Sequence, residues 1–263
     1  MRQPDLHIDE SGQPGQPAIL FLHGSPLSAR MWAPQLEALA DEFHCLAPDL
    51  PEHGRSAGIG PFHMGDTLTR LTNLIDRTCA GGRAHVVGLS FGGVVAQALM
   101  SAAPERVGRV IVSGTAGRLN SFLLKVLEVQ LALNKPLLRA LPSGALAAMM
   151  RWQFALPRSY DAALREDLEA MSPDALARFV VATYADIRTP NRTTSPTLIV
   201  VGGRETPFAK WQAKQLMREI PGSCGVRAPN LGHVWNLQDP RLFNTTVRAW
   251  MRGNPLPTEL TSL

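Results

Sequence analysis

The sequence predicts an α/β fold, a mostly parallel sheet with helices on both faces, into which an all-helical cap is inserted. Three observations predict it. Short runs such as Ala18–Leu22 (AILFL), Ala84–Leu89 (AHVVGL) and Thr197–Val201 (TLIVV) are apolar almost throughout, as strands buried on both faces are. Segments with helical spacing follow them, and such alternation implies parallel strands joined by helical crossovers. From 114 to 194 the alternation stops, and helical segments follow one another with no strand pattern between them.

Taken in order, Ala18–Leu22 ends at the breaker His23-Gly24-Ser25-Pro26, and Pro34–Asp41 reads as a helix. His44–Ala47 is a second short strand, ending at Pro48-Asp49. In Met64–Cys79, Leu68, Leu71, Leu74 and Ile75 recur at helical spacing, and Gly81-Gly82 ends the run. Ala84–Leu89 is a strand, Phe91–Ala103 a helix rich in small residues, and Val107–Val112 a further strand. The helical block comprises Ser121–Leu133, Leu137–Leu141, Gly144–Phe154, Tyr160–Met171 and Pro173–Ile187, punctuated by prolines. Thr197–Val201, helix Phe208–Glu219, a short strand near Gly225–Arg227 and helix Arg241–Met251 close the pattern. The tail from Gly253 is rich in Pro and polar residues and reads as loose. Residues 1–113 and 195–263 are therefore expected to form the core, and residues 114–194 the cap. An insertion there lies over the carboxyl ends of the strands, where open parallel sheets bind ligands.

Composition narrows the function classes. Of 263 residues, 45% are hydrophobic and 18% charged, enough for a large core. The net charge of +4 is spread along the chain, whereas a nucleic-acid footprint is clustered. The first ten residues carry no apolar signal region, and no run approaches a membrane span, so a cytoplasmic protein is expected. Cys45, Cys79 and Cys224 are far apart and show no CxxC spacing, which reads as buried free thiols in a reducing compartment. No His, Asp or Glu cluster has metal-ligand spacing, and neither GxGxxG nor a P-loop occurs, so no metal or cofactor is implied.

The strongest chemical signal is Gly88-Leu89-Ser90-Phe91-Gly92-Gly93, between a strand and a helix. A sharp strand-to-helix turn needs small flanking residues and raises the serine hydroxyl above the sheet edge, making Ser90 a candidate nucleophile. The second signal is His23-Gly24-Ser25-Pro26. Acyl transfer needs two donors aimed at a developing oxyanion. The backbone N–H groups of Phe91 and Ser25 are the candidates, since Pro26 has no N–H. His23 either braces this loop or touches substrate.

These residues, with Asp49-Leu50-Pro51-Glu52-His53-Gly54-Arg55-Ser56, the Gly202–Glu205 turn and Gly232-His233, resemble the α/β-hydrolase superfamily, in its helically capped, serine esterase-like branch. The resemblance covers nearly the whole chain. The family order of nucleophile, acid and histidine implies that His233 is the base, since no other histidine follows Ser90. It puts the acid at Glu205, where aspartate is the more frequent residue. Asp186 and Asp239 are rivals, and the family's alternative site, Ser113-Gly114-Thr115-Ala116, has no carboxylate. The Asp49–Ser56 stretch, with Glu52 where the family usually has glycine, is read as structural.

The resemblance implies a cofactor-free serine hydrolase acting on a small or medium apolar ester through an acyl-serine. The alternatives are a lyase step, C–C hydrolysis or perhydrolysis on the same constellation, or a ligand-binding receptor on a hydrolase scaffold. Serine rather than aspartate at position 90 argues against dehalogenase or epoxide hydrolase chemistry. Pocket walls are expected from His23, Trp32, Met150, Phe154 and Trp235. Phe122, Leu123, Val126, Met149, Trp152 and Phe179 are further apolar residues of the insertion, in which Arg151 and Arg178 either lie on solvated faces or meet an acidic substrate. The partner is a small-molecule ester, and the assembly a monomer or homodimer.

Overall fold

In the computed structural model of the chain, strands β2 (Ala18–Leu22) and β3 (His44–Pro48) are buried at every position. The structure describes residues 5–117, 141–172, 189–190 and 193–263, with positions 125, 129, 136, 175, 179 and 187 between them. Side chains on a strand alternate between faces. A continuous apolar run therefore feeds two cores at once. Leu20, Leu22, Val86, Val110, Val112, Ile199 and Val201 join the core on one face, and Ile19, Phe21, Val87, Ile111, Leu198 and Val200 the core on the other.

In chain order, β1 (Ile8–Ser11) precedes β2, and α1 (Ala33–Leu39) leads to β3. Helix α2 (Met64–Thr78), β4 (Ala84–Leu89), α3 (Phe91–Ala102) and β5 (Val107–Ser113) follow. Then come α4 (Ser143–Phe154), α5 (Asp161–Ala170), β6 (Thr197–Gly202), α6 (Pro207–Glu219) and β7 (Cys224–Ala228), and lastly α7 (Trp235–Gln238), α8 (Pro240–Arg252) and β8 (Thr261–Ser262). The sheet order is β1-β3-β2-β4-β5-β6-β7-β8. The β1–β3 and β7–β8 pairs are antiparallel and the rest parallel. Residues of α2, α3 and α6 pack on the first face, among them Leu71, Leu99 and Leu216. Residues of α1 and α8 pack on the second, among them Leu39, Phe243 and Val247.

The two outer strands were not anticipated. β1 is short and only half-buried, and it extends the sheet from β3 in register Ile8 to Pro48. The tail that reads as loose instead adds β8 to β7, and the Leu263 N–H donates to Gly225 O at 3.2 Å. Edge strands of this kind are too short and polar to give an apolar run, and their pairing depends on a neighbour distant in sequence. Cys45 and Cys79 are buried as expected, but Cys224 is exposed, because β7 lies near the sheet edge. Among the described residues, no helix is long and apolar enough to cross a membrane.

Helices α4 and α5 lie between β5 and β6 in sequence, and polar clasps fix them to the rest of the chain. Arg30, just before α1, pairs with Asp167 and Glu166 of α5, each at 2.8 Å. Tyr160 Oη donates to the other Asp167 oxygen at 3.1 Å. Gln238 Nε2 donates to Phe154 O at 2.8 Å, holding the end of α4 against α7. The expected helices Ser121–Leu133, Leu137–Leu141 and Pro173–Ile187 fall largely outside the described residues.

Candidate active site

The turn from β4 into α3 is as tight as glycine allows. A β-carbon on Gly92 would lie 2.0 Å from Leu22 O, and one on Gly88 would lie 2.4 Å from Gly92 O. Ser90 has φ +55° and ψ −117°, a conformation that L side chains rarely adopt. Its backbone is held from both sides. The Ser90 N–H donates to Ser113 O at 2.8 Å, and Ser90 O accepts from the Gly93 N–H at 3.0 Å. Gly24 comes so close that a β-carbon there would lie 3.1 Å from Ser90 Cβ. This packing fixes the direction of the hydroxyl against local backbone preference.

His233 stands on the loop between β7 and α7. Its Nδ1 donates to Glu205 Oε2 at 2.8 Å. The other Glu205 oxygen accepts the Gly202 N–H at 2.9 Å, so the carboxylate is aimed from two sides. A proton held on Nδ1 leaves Nε2 as the basic nitrogen. Glu205 is 7% exposed and His233 21%, an acid closed off behind an imidazole that reaches the cavity. Ser90 and His233 border that same cavity, of about 1030 Å³. Among the described residues no hydrogen bond joins Ser90 to His233. Such contacts are often long in a free enzyme and tighten on substrate.

Ser25 and Phe91 also border the cavity. Phe91 is the first residue of α3, so its N–H has no acceptor within the helix. The loop holding Ser25 is braced from below by His23. The Leu50 N–H donates to His23 Nε2 at 2.9 Å, and Nδ1 faces Gly24 O at 3.2 Å. Burial drives the His23 pKa down to about 4, so the ring is a neutral brace. His53 packs beside it, with ring centroids 4.9 Å apart, and stacks near Phe91. Burial and the neighbouring His23 hold its pKa well below the usual value. Asp49 accepts N–H groups from Ala29 and Arg55 at 2.7 and 2.8 Å, knitting the same loops together.

Of the five expected pocket residues, Phe154 lies in the cavity wall, its ring 5.3 Å from that of His233. The other four do not line the cavity. Trp32 is fully buried between Phe21 and Phe243. Trp235 packs on Phe243 and donates from Nε1 to Ser113 Oγ at 2.8 Å. Met150 is buried in the second core, and His23 serves the loop. Nearness in sequence to a site loop placed the two tryptophans wrongly, because each side chain turns into the sheet rather than over its edge. In the insertion, Phe179 lines the cavity, whereas Met149 and Trp152 are exposed. Arg151 pairs with Asp161. Phe122, Leu123, Val126 and Arg178 lie outside the described residues, as does the rival acid Asp186. Asp239 caps α8, its Oδ1 accepting the Leu242 N–H at 2.9 Å. Among the described residues no cluster of His, Cys, Asp and Glu gathers to hold a metal ion.

Gly114, Thr115 and Gln212 were missed by sequence reasoning, and all three border the cavity. Gly114 had a signal: it stands at the family's alternative acid site. With φ +54°, it leaves room for the imidazole, since a β-carbon there would lie 2.8 Å from His233 Nδ1. Gln212 had none, because a glutamine on a helix reads as solvated.

The comparisons agree with this architecture. A profile of the alpha/beta hydrolase family matches residues 19–246. An AB hydrolase superfamily protein of Gibberella zeae is 30% identical over 259 residues, covering 94% of this chain and 84% of the relative. The 3-oxoadipate enol-lactonase 2 of Acinetobacter baylyi is 26% identical, covering 94% and 93%. Among solved structures, a thermophilic esterase from Thermogutta terrifontis superposes with a TM-score of 0.77 at 26% identity, covering 94% of this chain and 93% of that one. A strained serine between β4 and α3, a carboxylate after β6, a histidine after β7 and a profile match across most of the chain lead to one conclusion: the chain belongs to the α/β hydrolase family.

Proposed function

We propose that the protein is a cofactor-free carboxylic-ester hydrolase working through an acyl-serine on Ser90, with His233 as base and Glu205 as the acid that orients it. The observation that carries this reading is the 2.8 Å contact between His233 Nδ1 and Glu205, facing the cavity that Ser90 borders. His233 Nε2 takes the Ser90 proton as Oγ attacks the ester carbonyl. The N–H groups of Ser25 and Phe91 receive the negative charge that develops on the carbonyl oxygen. His233 then returns the proton to the leaving alkoxide, and a water activated by the same nitrogen releases the acid. Glu205 keeps the imidazole in the productive tautomer and stabilises its charged form. The helices between β5 and β6 act as the cap, Phe154 and Phe179 contributing apolar wall.

The similarity to an enol-lactonase extends the reading to lactones, which are cyclic esters opened by the same steps. The test uses short p-nitrophenyl esters and a fluorophosphonate probe. Wild-type protein is expected to hydrolyse the esters and to be labelled at Ser90, and Ser90→Ala to do neither. Equal ester turnover by both proteins would sink the assignment.

A further inference from the structure

Among the described residues, three side chains of the cavity wall have buried polar atoms with no partner: Gln212, Thr115 and Ser25, whose Oγ belongs to the loop after β2. Gln212 is 2% exposed, and neither its Nε2 nor its Oε1 makes a hydrogen bond. Thr115 is 7% exposed, and its Oγ1 is also unpartnered. Both residues border the cavity shared by Ser90 and His233. Gln212 lies on the buried face of α6, one turn beyond Phe208 and Ala209, which border the cavity too. Thr115 follows Gly114, the glycine against His233, and is wedged over Gly93. Other buried glutamines of the chain find partners for their amide nitrogens. Gln35 Nε2 donates to Asn236 O and Asn244 Oδ1, and Gln97 Nε2 donates to Gly93 O and Ala116 O.

A buried amide without a partner destabilises the fold, and an aliphatic side chain of similar shape would remove that cost. Its presence in a cavity wall is accounted for if a ligand completes it. We propose that Gln212 and Thr115 form a recognition site for a neutral hydrogen-bonding group of carboxamide type, carried by the ester substrate away from its scissile carbonyl. The proposal rests on ester hydrolysis at Ser90.

The chemistry of the two side chains sets the class. A glutamine amide offers N–H donors and a carbonyl acceptor side by side, and a carboxamide returns both in reverse order. The Thr115 hydroxyl adds a third polar partner. Among the described lining residues, a carboxylate would face Gln212 Oε1 without a cation beside it, since the arginine of that lining, Arg204, stands on the Glu205 turn instead. An alkyl tail would leave all three polar atoms unpaired, which is how a site built for hydrogen bonding rejects an apolar analogue. The terminal torsion of a glutamine is soft, so the amide can turn toward an entering group. Away from water, the bonds it then makes are strong.

Three methyl esters of matched length test this: methyl hexanoate, monomethyl glutarate and the methyl ester of glutaramic acid. Wild-type protein is expected to favour the glutaramate ester over the hexanoate by about tenfold or more in kcat/KM, and Gln212→Leu and Thr115→Val each to lower that ratio about tenfold. The melting temperature of Gln212→Leu should not fall, since an unpaired amide is removed, and this separates lost recognition from lost folding. No preference in wild type, a ratio unmoved in both variants, or a preference for the glutarate would overturn the proposal. Calorimetry of glutaramic against hexanoic acid on Ser90→Ala protein reads the same discrimination without turnover. Discrimination there that Gln212→Leu removes, with no ester hydrolysed by wild type, would reject the ester-hydrolase reading and keep the site. Equal binding of the two acids would reject the site itself.

Discussion

Gly114→Ala is the sharpest probe of how the candidate triad is housed. The new β-carbon would lie 2.8 Å from both Nδ1 and Cε1 of His233. Ordinary contact begins near 3.4 Å, so the imidazole must retreat by about 0.6 Å or the loop must move. A misplacement of ~1 Å at a reacting centre costs about a hundredfold. On a logarithmic scale, about 0.6 Å then costs roughly fifteenfold in kcat. The backbone adds a stability cost, because φ is +54° and alanine in the left-handed region costs about 1–2 kcal/mol. For a chain of this size that lowers Tm by about 2–4 °C per kcal/mol. The assay is steady-state hydrolysis of p-nitrophenyl butyrate with a thermal melt on the same sample, and fluorophosphonate labelling should slow in parallel. A kcat within twofold of wild type at a lowered Tm would show that the imidazole position is not what Gly114 protects, and the reasoning would fail.

Other outcomes test the remaining contacts. Glu205→Gln keeps an acceptor for the Gly202 N–H but turns an amide toward His233 Nδ1; the wrong tautomer should lower kcat by three to four orders of magnitude with little change in Tm. Asp167 sits fully buried under Arg30 and Tyr160, and desolvation raises its pKa above the ordinary carboxylate value. The folded state therefore binds a proton more readily than the unfolded chain, and the stability this lends is lost as pH rises through the folded pKa. Urea titrations of wild type against Asp167→Asn should show the wild type gaining relative stability on acidification through that window; a difference independent of pH contradicts the raised pKa. Cys224 is exposed, whereas Cys45 is buried with its thiol pushed up to about 12 and Cys79 is buried with its thiol raised. A thiol reagent at neutral pH should thus modify one cysteine per native chain, removed by Cys224→Ser and rising to three on unfolding.

The parallel core was legible because its signal is local. A strand buried on both faces must be apolar at every position, and runs such as Ala18–Leu22 and Thr197–Gly202 announce themselves without knowledge of their neighbours. Helices α2 and α8 carry their amphipathic stripes in the same way. β1 and β8 escaped notice because an edge strand is stabilised by a distant partner, His44–Pro48 for one and Cys224–Ala228 for the other. Ser90 could be read from its glycines, since the turn's steric demand falls on immediate neighbours. Trp32 and Trp235 could not be placed, because the direction of a large side chain is decided by the space around Phe243 and not by the loop it follows.

The sequence by itself determined the order of the elements and the serine at the β4–α3 turn, because each is set by backbone sterics or composition within a few residues; the succession of serine, carboxylate and histidine came from the resemblance to the α/β hydrolases. Only the tertiary structure decided that Glu205 and His233 meet at 2.8 Å, that Gly114 makes room for them, and that Gln212 lies in the cavity wall with no partner among the described residues. Glu205 and His233 are 28 residues apart, and their meeting depends on β6 and β7 pairing in register from Leu198–Cys224 to Gly202–Ala228. Such a register is fixed by the packing of the whole sheet, and no local stretch of sequence encodes it.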